Sequence, residues 1–229
     1  MSADLLVKEI QTKDYRIKIE YDDCSESPRI FNDNLGHMVF WHRRYNLGDK
    51  HNYDADNFFY ELAEELGIET EFYNEKTEEW EYLDKEKVKV LVEEKVIIYQ
   101  VSMTDHSNIS LYMGSPRDRW DSGILGFTYV TLEEVEKEYG VVDAKTIKQA
   151  KEILEAELET YNMYVNGEIY WCLIEKINKC ECCGQENYDE VDSCGGFYGY
   201  NFRENGIWDM IKEAIDDKET LEKIEIEIV

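Results

Sequence analysis

The chain has 229 residues and a formal net charge of -27, with 25 Lys and Arg against 52 Asp and Glu. This acidity disfavours direct binding to nucleic acid or to an anionic membrane, because both carry negative charge themselves. Hydrophobic residues make up 43% of the chain and aromatic residues 13%, a composition that excludes a disordered acidic tail.

The first half of the chain contains two strand patterns and one strong helix pattern. Residues 15–21 alternate apolar and polar and predict a strand, and "HMVFWH" predicts a second one. Residues 54–67 predict a helix, which Asp54 or Asp56 caps and Gly67 ends. The polar segment that follows, "TEFYNEKTEEWEYLDKEK", is interpreted as an extension of this helical region.

The second half predicts two hairpins and three helices. "KVIIYQVSM" and "ISLYMG" indicate a hairpin, and "GFTYV" a further strand. A helix then begins at Thr131, with Glu134 at the position of a capping box. A long amphipathic helix follows over residues 143–165. "GEIYWCLIEKI" pairs with "DEVDSCGGFYGY" in the second hairpin, "NGIWDMIKEAIDD" predicts a short helix, and the alternation in "EKIEIEIV" predicts an edge strand.

The order of these elements favours an α+β fold, because strands and helices do not alternate regularly. We expect a mostly antiparallel sheet with helices packed on one face. No linker rich in Gly, Ser or Pro divides the chain, so residues 1–229 are interpreted as a single domain. The chain start lacks the apolar segment of a signal peptide, and no apolar run reaches the length of a membrane span. These features predict a cytoplasmic protein.

The stretch "WHRRYNLGDKH", residues 41–51, gathers five of the few basic side chains of the protein. One interpretation is that these groups pair with nearby acids and organise the fold. The other is a pocket for a phosphate or nucleotide, in which Asp105 and His106 act as an acid–base pair. No phosphate loop and no serine-hydrolase elbow accompany these residues. The candidate anion-binding residues are Arg29, His42, Arg43, Arg44, Asp105, His106 and Asp121.

The segment from Asp54 to Glu86 is densely acidic and mostly lacks the lysines that usually accompany acidic helices at i, i+4. Such a run is usually a solvated face. Aromatic side chains are interleaved with the carboxylates, however, and that mixture suits an interface with an arginine-rich protein. The candidate partner-binding residues are Glu61, Glu64, Glu65, Glu69, Glu71, Glu75, Glu78 and Glu79.

Six cysteines in a cytoplasmic chain indicate thiols or metal ligands more than disulfides. Cys180 and Cys183 have the spacing of a zinc knuckle, but no second pair at similar spacing completes a zinc ribbon. In a regular hairpin Cys172 and Cys194 lie near each other and several residues from the turn. The pattern therefore favours a hairpin tip with isolated thiols over structural zinc. We therefore expect no cofactor, and the alternative is zinc at Cys180 and Cys183.

Four motifs between Tyr15 and Tyr200 carry a family resemblance: "SPRIFNDNLGHMVFWHRRYNLGD", "TDHSNIS", "WDSGILGFTYVTLEEVEKEYG" and "DSCGGFYGY". With them the chain resembles a family of small acidic proteins encoded by phages, plasmids and integrative elements. It departs from that family at "TDHSN", where Tyr-Asp-His-Ser-Gly is more usual, and in the cysteine-rich residues 180–183. The resemblance implies a mobile-element setting rather than a reaction.

That setting favours a non-enzymatic anti-defence protein acting in the host cytoplasm. We expect its carboxylates to replace phosphates in the basic groove of a host nucleic-acid enzyme, such as a restriction enzyme or a CRISPR effector. The expected partner is a basic host protein, and neither nucleic acid nor membrane is bound directly. The alternative is an anion- or nucleotide-binding protein, with hydrolase activity as one option, built on the Arg, His and Asp cluster.

Overall fold

The computed structural model describes residues 5–106, 108–118 and 120–228, without the side chain of Phe31. These residues form two compact units. The terminal unit comprises the described residues of Met1–Pro28 and Thr160–Val229, and the central unit comprises Arg29–Glu159. Helices and antiparallel sheets occur in both, so the predicted α+β class is confirmed. The assignment of residues 1–229 to a single domain stays a prediction.

The terminal unit is built on a four-stranded antiparallel sheet in the order β1-β2-β9-β10. Its strands are β1 (Leu6–Gln11), β2 (Tyr15–Tyr21), β9 (Ile169–Lys179) and β10 (Glu186–Tyr198), and its helices are α6 (Ile207–Ala214) and α7 (Lys218–Glu227). Ile17, Ile19 and Ile174 lie on one face of the sheet and pack with isoleucines of both helices. In this unit the helices cover one face, as expected.

The central unit contains a second four-stranded antiparallel sheet, in the order β3-β8-β6-β7. Its strands are β3 (His37–Phe40), β6 (Val96–His106), β7 (Asn108–Met113) and β8 (Ser122–Thr131). The helices are α1 (Pro28–Phe31), α2 (Phe58–Glu65), α3 (Lys85–Glu93), α4 (Leu132–Tyr139) and α5 (Ala144–Val165), the last of which continues into the terminal unit. A short hairpin of β4 (Glu71–Asn74) and β5 (Glu79–Tyr82) lies between α2 and α3 in the chain.

The central sheet carries helices on both faces, which corrects the expectation of helices on one face for this unit. Neighbouring strand residues point to opposite faces. Tyr129 therefore packs with the buried side chains of α2 and α3, whereas Val130 packs with those of α4 and α5. Both faces are apolar because β6 and β8 are nearly continuous hydrophobic runs, a pattern that a strand buried on both sides requires.

Two other predicted elements are wrong. Residues 71–82 form the β4–β5 hairpin instead of extending α2, because Asn74 accepts a hydrogen bond from the backbone amide of Lys76 and Glu78 adopts a left-handed φ of 57° that closes the turn. The C-terminal segment is α7 and not an edge strand. Asp217 caps this helix, and the four-residue spacing buries Ile224 and Ile228 together.

The predicted cap of α2 is also wrong, because Asn57 and neither Asp54 nor Asp56 is the N-cap residue. Three other local predictions are confirmed. β2 spans the predicted residues 15–21, and α5 covers the predicted long helix. Thr131 caps α4 in a capping box with Glu134. No helix among the described residues combines the length and the apolar character needed to cross a membrane.

Arg29 is the centre of a buried ion network in the central unit. Only 5% of its side chain is exposed, and it donates to both carboxylate oxygens of Asp49, from Nε at 2.7 Å and from Nη2 at 2.8 Å. A third bond runs from Nη1 to Glu157 at 3.1 Å. Each carboxylate also accepts a backbone amide, from Met38 to Asp49 and from Leu35 to Glu157. The network thus joins α1, the entry to β3, the loop before α2 and α5.

Gly48 allows Asp49 to reach this position. Its φ is +74°, and a Cβ on it would lie 2.6 Å from the carbonyl oxygen of Met38. The close approach lets the Asp49 amide donate to that same carbonyl at 2.8 Å. The basic stretch therefore ends in a turn that holds the carboxylate partner of Arg29.

Replacing Arg29 with Met should destabilise the protein by about 3 kcal/mol, at the low end for a broken buried pair, because it leaves two half-buried carboxylates without their cation. Arg44 provides the control, since it pairs with Asp105 at a site where 63% of the arginine side chain is exposed. Arg44→Met should change stability by less than about 1 kcal/mol. Urea unfolding followed by circular dichroism measures both. Equal losses in the two variants would contradict the assigned importance of the Arg29 network.

Candidate functional site

An acidic groove lies between α2 and the β4–β5 hairpin, with a volume of about 960 Å³. Four of the eight carboxylates predicted to bind a partner line it, together with three aromatic rings. Its wall consists of Asn57, Tyr60, Glu61, Glu64, Gly67, Ile68, Glu69, Thr70, Glu71, Trp80 and Tyr82. The structure therefore brings one helix face and one hairpin face of the acidic segment together.

Hairpin register places the aromatic side chains of the groove. Glu71 pairs with Tyr82 and Tyr73 pairs with Trp80, so these four side chains share one face of the hairpin. The ring centroids of Tyr73 and Trp80 are 5.8 Å apart. Tyr60 on α2 anchors the hairpin end by donating to the Leu83 carbonyl at 2.7 Å. The Trp80 side chain is 69% exposed, which is unusual for a tryptophan that only serves the core.

The groove carboxylates have no cation of their own. In the part of the chain that the structure describes, no ion pair involves Glu61, Glu64, Glu69 or Glu71. Glu71 instead raises the pKa of the Tyr82 hydroxyl by accepting its hydrogen bond. Uncompensated carboxylates beside open aromatic faces form a surface suited to positively charged side chains.

The other predicted partner-binding residues lie at the edges of this groove. Glu75, Glu78 and Glu79 are exposed at the turn of the hairpin and its start on β5, and are not part of the groove wall. Glu65 lies on α2 and accepts a hydrogen bond from the Tyr53 hydroxyl. The predicted set is therefore contiguous in the chain but divided between the groove, the hairpin turn and the flank of α2.

A histidine–tyrosine cleft of about 710 Å³ lies along the same helix and shares Glu61 and Glu64 with the groove. Its distinctive members are His37, His51, Tyr53 and Tyr129. The Tyr53 and Tyr129 hydroxyls are 3.3 Å apart, and burial followed by the bond to Glu65 raises the pKa of Tyr53. His51 Nε2 lies 3.0 Å from the Phe40 carbonyl oxygen. α2 is therefore an acidic ridge between two clefts.

His37 connects this cleft to the capping box of α4. Its Nε2 lies 2.7 Å from Glu134, and its ring stacks on Tyr129. The hydrogen bond to Glu134 raises the pKa of His37. Burial alone would raise the pKa of Glu134, but the bonds from His37 and Thr131 outweigh it and lower that pKa to about 2.

The structure divides the predicted anion-binding cluster. Arg29 belongs to the buried network with Asp49 and Glu157. Arg44 pairs with Asp105, and His106 lies 3.6 Å from Asp121, both at the end of β6.

The two remaining members of the cluster lie in the loop after β3. His42 stacks on Tyr45 and accepts the backbone amides of residues 44 and 45 at its Nδ1, as a turn cap does. Arg43 is exposed in the same loop. The paired arginines are thus neutralised by carboxylates, which leaves less positive charge for an anion.

A thiol cluster occupies the tip of the β9–β10 hairpin. The Sγ atoms of Cys180, Cys182 and Cys183 all lie within 4.8 Å of one another, so these residues could hold a metal ion. Cys172 and Cys194 face each other in the strand register away from this tip, as predicted. Burial raises the pKa of Cys172 to about 12, whereas hydrogen bonds from Cys182 and Cys183 lower that of Cys180 to about 6.

Comparison with known proteins returns no matching family model, no matching curated protein and no matching solved structure. The resemblance to acidic proteins of mobile elements accordingly stays an expectation.

Sequence reasoning missed several members of these sites. Tyr60 was one residue before a predicted carboxylate, but only the packed hairpin makes it part of the groove. Asp49 and Glu157 are far apart in the chain, and no local pattern links either to Arg29. An excess of aromatics among uncompensated carboxylates is the one signal that pointed to the groove.

The His37–Glu134 pair should make stability depend on pH in a defined window. Because the pKa of His37 is raised in the folded state, protonated His37 stabilises the folded protein at pH values below the ordinary histidine pKa of 6.5. This stabilisation is lost as the pH rises through the folded-state pKa. Because the pKa of Glu134 is lowered to about 2, ionised Glu134 stabilises the folded protein at pH values above the ordinary carboxyl pKa of 4.5. This stabilisation is lost as the pH falls towards 2. The advantage of wild type over His37→Gln should therefore be largest between pH 4.5 and 6.5.

We expect that advantage to stay below about 1 kcal/mol, because the His37 side chain is 43% exposed and solvent screens the pair. Urea unfolding of both proteins at a series of pH values measures it. His106→Gln, at a more exposed pair, serves as the control. A difference between wild type and His37→Gln that is constant from acidic to alkaline pH would contradict the assignment.

Proposed function

We propose that the protein binds a basic, nucleic-acid-binding protein and inhibits it by occupying the groove in which that partner holds nucleic acid. A restriction enzyme or CRISPR effector of a host cell is the kind of partner that the resemblance to phage and plasmid proteins implies. No reaction is part of this proposal. The single observation that carries it is the acidic groove with its uncompensated carboxylates and exposed aromatic rings.

Concentration of charge supports the proposal. The segment from Asp54 to Glu86 holds thirteen of the 52 acidic residues and only two lysines in about a seventh of the chain. A protein that used acidity only for solubility would gain nothing from concentrating it, since dispersed charge serves that purpose. A local excess of carboxylates creates a strongly negative electrostatic potential, and this potential speeds association with a basic surface.

The aromatic rings distinguish this surface from an ordinary solvated face. Trp80, Tyr82 and Tyr60 stand beside Glu64 and Glu71 in one groove. A guanidinium group can stack on such a ring and donate hydrogen bonds to a neighbouring carboxylate at the same time. The groove therefore favours arginine over lysine in a partner, and arginine is the residue that nucleic-acid-binding proteins use for phosphate recognition.

The anion-binding alternative receives less support. Its most buried cation, Arg29, already contacts two carboxylates, and Arg44 contacts a third. An anion would have to compete with these groups inside a protein whose net charge repels it.

The thiol cluster supports a separate proposal, that the protein binds zinc. Zinc prefers thiolate sulfur, has no redox chemistry of its own, and is the usual ion of cysteine knuckles. Partner binding through the acidic groove does not depend on this ion.

Neutralising the groove should weaken inhibition. The variant Glu61→Gln, Glu64→Gln, Glu69→Gln, Glu71→Gln removes four charge pairs with the partner. At about 0.2–1 kcal/mol each, their loss should lower potency by a factor of roughly 4 to 700. Its control changes the same number of exposed glutamates on α4 and α5: Glu133, Glu136, Glu138 and Glu159 to Gln. Cleavage of DNA by a panel of purified restriction and CRISPR nucleases gives the readout.

Wild-type inhibition should also weaken as salt rises from about 0.1 M to 1 M, because the Debye length shrinks from about 10 Å to about 3 Å. Equal potency of the groove and control variants would contradict charge mimicry through this groove. Inhibition that is indifferent to salt, or absent across the panel, would contradict the proposed function itself.

Trp80→Ala tests the aromatic contribution. Loss of a cation–π contact of about 0.5–2 kcal/mol should reduce potency by a factor of roughly 2–30. Trp120→Ala is the matched control, because Trp120 is 91% exposed in the turn before β8 and lies outside the groove. The same nuclease assay measures both variants. A larger effect at Trp120 would assign the contact to a different surface.

A further inference from the structure

The tip of the β9–β10 hairpin has the local architecture of a metal knuckle. The Cys180 amide donates to the Gln185 carbonyl, and the Gly184 amide donates to the Cys180 carbonyl, each at 2.8 Å. Gly184 has a φ of +70°, the left-handed conformation that closes the turn after the last cysteine. The backbone therefore folds residues 180–184 into a tight loop, on which Cys182 and Cys183 are exposed and Cys180 is half-buried.

The strand pairs next to the loop hold it in place. Lys179 and Glu186 are opposite each other in the strand register and form an ion pair of 2.9 Å. This pair fixes both ends of the loop before any ion arrives, and a site that is already formed binds with a smaller loss of conformational entropy.

The chemistry of this loop suits a thiophilic metal ion. Metal ions bind the thiolate form of cysteine, so three neighbouring thiols that can release their protons provide the sulfur ligands that zinc prefers.

Distances among the sulfur atoms match a single ion. Tetrahedral zinc with bonds of about 2.3 Å separates its sulfur ligands by about 3.8 Å. The three Sγ atoms lie within 4.8 Å of one another, and Cys180 and Cys182 are 2.9 Å apart, so small side-chain rotations suffice. That 2.9 Å separation is also longer than the disulfide bond length of about 2.05 Å, so these residues are free thiols.

We infer that Cys180, Cys182 and Cys183 together bind one zinc ion and leave its fourth coordination position open. This inference rests on the proposal that the protein binds zinc. Among the described residues, no fourth His, Cys, Asp or Glu joins this cluster. Two of the three cysteines are exposed and the third is half-buried, so the open position is accessible to water or a small external ligand. Open coordination is the arrangement of exchangeable and catalytic zinc, whereas structural zinc has four protein ligands.

The test uses the full chain, purified without metal in a non-thiol reductant, with Co²⁺ as the probe. One Co²⁺ per chain should bind, with the thiolate-to-cobalt charge-transfer absorption of a tetrahedral site, and Zn²⁺ should displace it. Native mass spectrometry gives the number of ions and chains in the complex. Imidazole should change the visible spectrum of the cobalt form, because it can enter the open position.

Cys180→Ser, Cys182→Ser and Cys183→Ser should each weaken zinc binding by more than the roughly 10- to 100-fold that loss of an outer-shell partner causes. Cys24→Ser and Cys194→Ser are controls, since both thiols are exposed and lie outside the cluster. All five apo variants should keep the wild-type circular dichroism spectrum and unfolding midpoint, because four of these side chains are exposed, Cys180 is only half-buried, and none belongs to the core.

The outcomes separate the two proposals. Wild-type affinity in Cys182→Ser, together with one ion shared by two chains, would overturn the three-thiolate site and leave zinc binding intact. An unchanged spectrum with imidazole would overturn the open position. Absence of any Co²⁺ or Zn²⁺ binding, or equal weakening in the Cys24 and Cys194 controls, would overturn zinc binding by this cluster altogether.

Discussion

The bond between Arg29 and its two carboxylates organises the central unit. A buried guanidinium is favourable only when its charge and its hydrogen bonds are matched, and Asp49 and Glu157 provide that match from positions far along the chain. Because Asp49 also binds the amide of Met38, the network fixes the path of the chain from β3 towards α2. Trp41 extends that path by donating from its indole to the Tyr53 carbonyl, shortly before α2 begins. The orientation of the acidic ridge thus depends on a cation that is itself hidden from solvent.

The protein uses its carboxylates in two physically different ways. Glu157 and Glu134 accept several hydrogen bonds each and stabilise the fold, and the low pKa of Glu134 reflects that use. Glu64 and Glu71 line an open groove, and neither forms an ion pair with any residue that the structure describes. Leaving like charges close together on a surface raises the free energy of the folded state, and a basic partner relieves that repulsion on binding. The contrast between satisfied and unsatisfied carboxylates is why the groove, rather than acidity in general, is the basis of the proposed function.

Local patterns predicted the elements whose signals are local. The alternation in β2, the capping box of α4 and the long apolar stripe of α5 each depend on neighbouring residues, and each was found as expected. The two wrong elements had patterns that fit more than one structure. Isoleucines at every second residue in "EKIEIEIV" suggested a strand, yet Ile224 and Ile228 are also one helical turn apart, and packing on the core of the terminal unit favoured the helix. In the β4–β5 segment the alternation of acidic and aromatic residues is confined to the four residues of β5, and the turn at Asn74 closes the hairpin.

The sequence by itself determined the α+β class, most helix and strand positions, the density of glutamate after Asp54 and the cysteine pair at Cys180 and Cys183, because these are properties of composition and short-range spacing. Only the tertiary structure decided which of those groups meet. It joined α2 to the hairpin as a groove and assigned Arg29 to a buried network instead of an anion pocket. The physical reason is that burial and partner choice depend on contacts between distant segments, and such contacts leave no periodic trace in the chain.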